Sequence, residues 1–115
     1  MDTLHFRQSE FKCSCCGETK YNPHLVAILE LVRIHFNKPT FITSSYRCPA
    51  HNKKVGGATK SQHVEGTAAD IQVDDVAPDL VYEFLNNTFP NSYGLGKYSS
   101  FTHFDVREVK ARWVG

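Results

Sequence analysis

The chain has 115 residues, of which 41% are hydrophobic, and this is enough for one domain with one hydrophobic core. Its 13 basic residues nearly balance its 12 acidic residues, so the formal net charge is +1 and no run of like charges appears. This balance argues against a nucleic-acid-binding protein, which would need a concentrated basic face. No segment reaches the ~20 consecutive apolar residues that would span a membrane.

The first residues of the chain, Met1 to Arg7, lack the apolar core and the small-residue cleavage site of a signal peptide. We therefore expect the chain to be made in the cytoplasm without such a signal. If its target lies outside the cytoplasm, another route must deliver it.

Four cysteines are present, three of them clustered as Cys13, Cys15 and Cys16, and the fourth at Cys48. Three states are compatible with this pattern: free thiols, a disulfide from Cys13 or Cys15 to Cys48, or a second, structural zinc site. The cluster is spaced as Cys-x-Cys-Cys rather than as two Cys-x-x-Cys pairs, so the zinc signal is weak. Free thiols are therefore the favoured interpretation.

The first regular element is predicted to be a helix with Pro23 near its start, because proline suits the first helical turn. Apolar residues from Leu25 to Phe36 recur at helical spacing, and Pro39 disfavours helix in the residue before it. The β-branched and aromatic run that follows, residues 40–46, predicts a strand. Next comes a short helix over residues 49–55, which two glycines stop.

The second half of the chain begins with a predicted strand over residues 68–73. Residues 75–89 contain another helix, which Pro78 opens and Pro90 closes. Residues 93–98 are punctuated by glycines and form a candidate strand with a kink.

The last predicted strand covers residues 101–106, where side chains alternate between the two faces. Phe101, His103 and Asp105 share one of these faces. Because the strands lie close together along the chain, with helices before and between them, we predict one α+β domain over residues 1–115. Its architecture is a small antiparallel sheet with flanking helices.

A metal site is indicated by His63 and Asp70, which flank Gly66 and two alanines. Gly66 permits a tight turn, so we expect the two side chains to converge. An imidazole nitrogen and a carboxylate oxygen are both zinc ligands, and His103 is the best candidate for a third. Two histidines and one carboxylate leave the fourth position open for water, which is typical of a catalytic zinc site.

Two further carboxylates lie near these ligands in the sequence. Asp105 shares the strand face of His103, and metal-bound histidines usually donate their second N–H to a carboxylate or carbonyl. We therefore favour Asp105 as the residue that holds His103, with the role of general base as the alternative. Glu65 is another candidate base, although exposure in a loop is the favoured interpretation.

Three motifs follow one another between residues 40 and 113. They are Ile42-Thr43-Ser44-Ser45-Tyr46-Arg47-Cys48-Pro49, then Ser61-x-His63-x-x-Gly66-x-Ala68-x-Asp70-Ile71, and then Phe101-x-His103-x-Asp105, followed by Arg112-Trp113. The chain thereby resembles the M15 family of zinc peptidases, in particular the D-alanyl-D-alanine carboxypeptidases and the related phage and bacterial murein peptidases.

The resemblance implies a hedgehog/D-Ala-D-Ala peptidase-like fold with a zinc ion (Zn²⁺) on His63, Asp70 and His103. It implies hydrolysis of peptide bonds in peptidoglycan stem peptides, by a carboxypeptidase or an endopeptidase, with a zinc-bound water as the nucleophile. The compact chain also resembles phage or prophage proteins of the endolysin type, which act on the cell wall once released or delivered. We expect a monomer that binds stem peptides and neither nucleic acid nor membranes.

Further roles follow from the resemblance. Arg47 would stabilise the developing oxyanion or bind a substrate carboxylate, and Ser61 and Gln62 would contribute hydrogen bonds near the metal. Many relatives carry their base as a glutamate three residues before the last histidine ligand, or as a histidine two before it. Ser100 and Phe101 occupy these positions here, and neither can act as a base.

The missing base keeps a second hypothesis open. The chain would then be a catalytically weak, zinc-containing module that binds muropeptides or a protein without cleaving them. A purely structural zinc domain is disfavoured, because a closed site would need a fourth protein ligand.

Overall fold

The computed structural model describes residues 2–57 and 61–115, which contain four α-helices and five β-strands. The helices are Pro23–Phe36 (α1), Pro49–Lys54 (α2), Gln62–Glu65 (α3) and Pro78–Thr88 (α4), and a 3-10 helix, Gln8–Phe11, precedes them. The strands are Thr40–Ser44 (β1), Ala68–Val73 (β2), Gly94–Lys97 (β3), Thr102–Asp105 (β4) and Ala111–Val114 (β5). The predicted α+β class is confirmed.

The predicted first helix is present as α1, and it begins at Pro23 because the preceding residue caps it. The Asn22 side chain accepts hydrogen bonds from the backbone N–H groups of His24 and Leu25. At the other end, Asn37 adopts the left-handed conformation, with φ 51°, and its N–H donates to a carbonyl of the last turn. The apolar face between these caps enters the hydrophobic core. Within the described residues, no helix is long and apolar enough to cross a membrane.

The five strands form one sheet in the order β1-β2-β4-β3-β5. The pairings β1–β2, β2–β4 and β4–β3 are antiparallel, as predicted, whereas β5 pairs with β3 in parallel and makes the sheet mixed. The sequence does not predict β5, because its four residues show no clean alternation of apolar and polar side chains. In the structure these residues are partly buried or exposed. The sequence does not predict α3 either, which is a single turn.

The two faces of the sheet have different tasks. Ala69 and Ile71 of β2 belong to the core cluster together with Phe104 of β4. Asp70 lies between Ala69 and Ile71 on β2, so its side chain projects to the opposite face. In the antiparallel pairing it lies directly opposite His103. Opposite partners project to the same face, so Asp70 and His103 share the face that looks away from the core.

Helix α3 reaches this polar face because the chain turns sharply before β2. Gly66 ends the helix with φ 75°, and its N–H donates to the carbonyls of Gln62 and His63. A Cβ at this position would also lie 2.7 Å from Cγ of Lys20. Both the backbone conformation and the limited space therefore require glycine at this position. The turn at Gly66 leads the chain from His63 to the start of β2.

Candidate metal centre

The three predicted ligands, His63, Asp70 and His103, converge on the face of the sheet opposite the core. Their ligand atoms all lie within 4.8 Å of one another, and the three residues are buried. Oδ1 of Asp70 lies 3.4 Å from Nε2 of His63 and 2.9 Å from Nδ1 of His103. Ligand atoms ~2.1 Å from a tetrahedral zinc ion lie ~3.4 Å apart, so the arrangement fits such an ion.

Each histidine has one ring nitrogen directed at this centre and the other at a hydrogen-bond acceptor. Nδ1 of His63 lies 2.7 Å from the carbonyl oxygen of Ser45, to which it donates, so that Nε2 faces Asp70. Nε2 of His103 donates to Oδ2 of Asp105 over 2.7 Å, so that Nδ1 faces Asp70. These outer partners fix both ring orientations, as they do around bound metals.

The charges around the centre favour a cation. Burial raises the pKa of Asp70, but hydrogen bonds from His103 and His63 outweigh it and lower the pKa to about 2. Burial lowers the pKa of His103, but the flanking carboxylates of Asp105 and Asp70 raise it more, so the net shift is upward. Nδ1 of His103 lies 2.9 Å from Oδ1 of Asp70, on the side where a metal ion would bind.

Asp105 is fully buried beneath His103 and is held by Arg107. Its Oδ1 accepts from Nε and from the backbone N–H of Arg107, at 2.7 and 3.2 Å, and its Oδ2 accepts from Nη2 at 2.7 Å. Burial raises the pKa of Asp105, but these bonds and the one from His103 hold it well below its usual range. Both oxygens are engaged, so this geometry fits the task of orienting His103 better than that of a base.

The centre lies in a cleft of about 410 Å³, a size usual for small-molecule sites. Besides the three ligands, its lining residues are Arg47, Gly57, Ser61, Gln62, Tyr98, Phe101, Arg107 and Trp113. The rings of Tyr98 and Phe101 stack with centroids 4.4 Å apart, and Nε1 of Trp113 donates to Oη of Tyr98 over 2.9 Å. Among the described lining residues, Asp70 is the only carboxylate.

Arg47, to which the family resemblance assigns a role in the site, is among the residues that line this cleft. Its Nη1 donates to Oδ1 of Asn52 over 3.1 Å. Its Nε is buried and has no hydrogen-bond partner within residues 2–57 and 61–115. A buried donor left in this state costs about 1–3 kcal/mol.

Ser61 and Gln62 line the cleft, but their oxygens already accept hydrogen bonds from the chain. Oγ of Ser61 caps α3 by accepting from the backbone N–H of His63 over 3.1 Å. Oε1 of Gln62 accepts from Oγ1 of Thr67 over 2.6 Å. Both residues thus help to place the helix that carries His63. Glu65, the last residue of that helix, is exposed and is not among the described residues of the cleft.

Three residues of the site have no role in the sequence-based interpretation: Tyr98, Arg107 and Trp113. Arg107 follows Asp105 by two positions, and Trp113 lies on the unpredicted strand β5, with its ring 5.0 Å from that of His103. The sequence signal that could have revealed these close contacts is the pair of glycines at alternate positions of β3, Gly94 and Gly96. A Cβ at Gly96 would lie 2.5 Å from Nε1 of Trp113, and one at Gly94 would overlap the carboxylate of Asp105.

The family model described as Peptidase M15 matches residues 1–105, which is more than half of the chain. The matched part includes the three candidate ligands together with Asp105, and it ends before Arg107 and strand β5. No curated protein gives a significant match.

Proposed function

The chain belongs to the peptidase M15 family, and from this premise we propose that it is a zinc metallopeptidase that hydrolyses peptide bonds in peptidoglycan stem peptides. The observation that carries the proposal is the meeting of His63, Asp70 and His103 in an open cleft. Three protein ligands leave one coordination position for water or substrate, as in catalytic zinc sites. We place its action at the cell wall, after release or delivery in a phage or prophage setting.

The residues of this chain would hold the ion and keep the cleft ready for a peptide. A bound zinc ion supplies a Lewis acid that polarises the scissile carbonyl and lowers the pKa of a water molecule to about 7. Asp70 contributes the negative charge, and His63 and His103 keep their lone pairs directed at the centre through their outer hydrogen bonds. Asp105 accepts the Nε2–H of His103 and is itself held by Arg107.

Arg47 is our candidate for binding the substrate's carboxylate. Its buried Nε faces no acceptor in the described part of the chain, and guanidinium groups pair with carboxylates through two parallel hydrogen bonds. The free carboxylate at the end of a stem peptide has the matching chemistry. This supports carboxypeptidase activity as the first choice and leaves endopeptidase activity, in which Arg47 meets the developing oxyanion, as the second.

Proton transfer needs a group other than a free carboxylate in this cleft. Asp70 is a candidate ligand, and residues 58–60, which lie outside the described residues, contain no acid in the sequence. Of the two hydroxyls in the described lining, Ser61 caps α3, and we therefore choose Tyr98. Because its Oη accepts from Trp113, its own O–H is available to donate to the oxyanion or to the leaving amine.

The second candidate function is a zinc-containing module that binds muropeptides without cleaving them. The observation that favours it is that the cleft has no carboxylate besides Asp70 among its described residues. Binding would use Arg47 in the same way, so only turnover separates the two functions.

The test is to incubate the zinc-loaded protein with stem pentapeptides and with intact muropeptides, and to identify products by mass spectrometry. We expect the wild type to release the terminal D-alanine and His63→Ala to release none. His35→Ala, which removes an exposed histidine of α1, should release it as the wild type does. Binding measured by calorimetry with no product at any zinc concentration would reject the peptidase and support the binding module.

A further inference from the structure

A tight loop near the N-terminus places two thiols side by side. An isolated antiparallel bridge joins Lys12 and Thr19, and the backbone N–H of Cys13 donates to the carbonyl of Glu18 over 2.7 Å. At the tip, Gly17 has φ 77° and its N–H donates back to the carbonyl of Cys13 over 3.0 Å. The loop therefore closes directly after the second cysteine of the pair Cys13-x-x-Cys16, a spacing that the intervening Cys15 hides in the sequence.

A third thiol reaches this loop from the start of α2. The sulfurs of Cys13, Cys16 and Cys48 all lie within 4.8 Å of one another, and all the cysteines are free thiols. The backbone N–H of Cys48 donates to Sγ of Cys13 over 3.3 Å. Sγ of Cys48 itself caps α2 by accepting from the N–H of His51 over 3.4 Å.

The surroundings of Cys13 suit a thiolate. The residue is fully buried, and burial alone would raise the pKa of its thiol. Backbone hydrogen bonds, of which the one from the N–H of Cys48 is 3.3 Å long, lower the pKa to about 7. Converging N–H groups stabilise an anionic sulfur, which is the form that binds metals.

We propose that Cys13, Cys16 and Cys48 bind a second zinc ion, which is structural. Three thiols leave one position of a tetrahedral set, and the fourth thiol of the chain, Cys15 in the same loop, is our candidate for it. Sulfurs ~2.3 Å from a zinc ion lie ~3.8 Å apart, so the three thiols within 4.8 Å need only small side-chain rotations. As the ion binds, the thiols release their protons to solvent.

The position of this site explains what the ion would hold together. Cys48 follows Arg47 directly, and Nη1 of Arg47 donates to Asn52 of the helix that Cys48 caps. The ion would therefore fasten the N-terminal loop to the segment that places Arg47 at the edge of the cleft. The proposal does not depend on the peptidase activity, because its ligands are separate from His63, Asp70 and His103.

The experiment is a metal analysis of the purified chain, kept reduced with a phosphine and loaded with zinc. We expect two zinc ions per chain in the wild type, one in His63→Ala and one in Cys16→Ser. Cys16 is exposed, so its serine variant should fold, which circular dichroism checks. Ser14→Ala, which changes an exposed residue inside the same loop, is the matched control and should keep both ions.

Cobalt substitution identifies the ligands independently of activity. Sulfur-to-cobalt charge-transfer absorption should appear in the wild type and in His63→Ala, and should disappear in Cys16→Ser. Loss of the Cys15 ligand should weaken metal binding by more than about tenfold, the lower end of the effect of removing a merely supporting partner. Unchanged affinity in Cys15→Ser would remove that residue from the set.

Three results would overturn the second site. One is a single zinc ion in the wild type that Cys16→Ser retains. Another is the absence of sulfur-to-cobalt absorption in His63→Ala. The third is four thiols that react with an alkylating agent equally fast with and without zinc. None of these outcomes excludes zinc binding or peptide cleavage at the other site, because its ligands are His63, Asp70 and His103 and not the thiols.

Discussion

His103 donates from Nε2 to Oδ2 of Asp105 over 2.7 Å, while Nδ1 of the same ring lies 2.9 Å from Asp70. One carboxylate thus fixes the ring for a metal, and the other is positioned to share that metal. The neighbouring positions 103 and 105 of one strand can do this because Arg107 holds Asp105 in place with two 2.7 Å hydrogen bonds.

We predict that Asp105→Asn weakens zinc binding by about 10–100-fold, as loss of a partner that orients a histidine ligand does. The side chain keeps its shape but loses the charge that pairs with Arg107 and with His103. Competition with a chromophoric chelator measures the affinity, and Asp74→Asn, at an exposed position, is the control. An unchanged affinity in a folded variant would contradict the supporting role.

Arg47→Gln should lower kcat/KM by about 10–100-fold, which corresponds to losing a hydrogen bond to a charged group worth about 1.5–3 kcal/mol. Zinc content should not change, because Arg47 is not a ligand.

A substrate with an amidated C-terminus completes the double-mutant cycle for Arg47. If the guanidinium binds the terminal carboxylate, amidation should slow the wild type strongly and Arg47→Gln only weakly. Equal losses in both proteins would show that Arg47 acts elsewhere, and would favour the oxyanion role.

Tyr98→Phe should lower kcat by about 100-fold, the lower end of the range for general acid–base groups, while KM and zinc content stay close to those of the wild type. The variant keeps the ring that stacks on Phe101 and removes only the hydroxyl. Tyr82→Phe, on α4 and outside the described lining of the cleft, is the matched control. If both variants have the same kcat, the hydroxyl of Tyr98 takes no part in the reaction.

The carboxylate of Glu30, on α1, should make the stability of the fold depend on pH. Its carboxylate accepts from the backbone N–H of His5 at 2.8 Å and pairs with Nδ1 of the same residue at 2.7 Å. Burial raises the pKa of Glu30, but these contacts outweigh burial, and the pKa is lowered from 4.5. A carboxyl whose pKa is depressed on folding stabilises the folded state above its unfolded pKa, and that contribution is lost as the pH falls through the folded pKa.

Glu30→Gln should therefore lower the free energy of unfolding by about 1 kcal/mol at pH 7, and the difference from the wild type should shrink below about pH 4.5. Urea denaturation of both proteins without added metal, at pH 7 and at pH 3.5, measures this difference. Glu83→Gln, at an exposed position of α4, should show no such dependence. A gap that stays constant across this pH range would mean that the charge of Glu30 is not involved.

Much of this architecture follows from local patterns. Prolines and amphipathic spacing locate α1 and α4, and the apolar run locates β2 with the predicted bounds. The ligand trio follows from a histidine, a glycine turn and an aspartate, since β2–β4 pairing then sets Asp70 against His103.

What the sequence did not reveal depends on contacts between distant segments. Strand β5 is a short edge strand whose pairing with β3 becomes visible only in the sheet, so Trp113 could not be placed beside His103. The thiol cluster likewise depends on Cys48 meeting a loop more than thirty positions earlier, for which spacing within the loop gives no information. The burial of Asp105 and its hydrogen bonds from Arg107 also become visible only in the structure. They are the reason for rejecting Asp105 as a base.

The glycine alternation of β3 supplies the last prediction, because it tests how the cleft wall is packed. A Cβ at Gly96 would lie 2.5 Å from Nε1 of Trp113, so Gly96→Ala should displace the indole and destabilise the fold by about 1–3 kcal/mol. Trp113 is the only tryptophan of the chain, so intrinsic fluorescence measures its surroundings directly. The emission should shift together with the denaturation midpoint. Trp113→Phe, which removes the overlapping atoms, should make the same glycine substitution much less costly. If Gly96→Ala costs the same in both backgrounds, contact with Trp113 does not explain why β3 has glycine at this position.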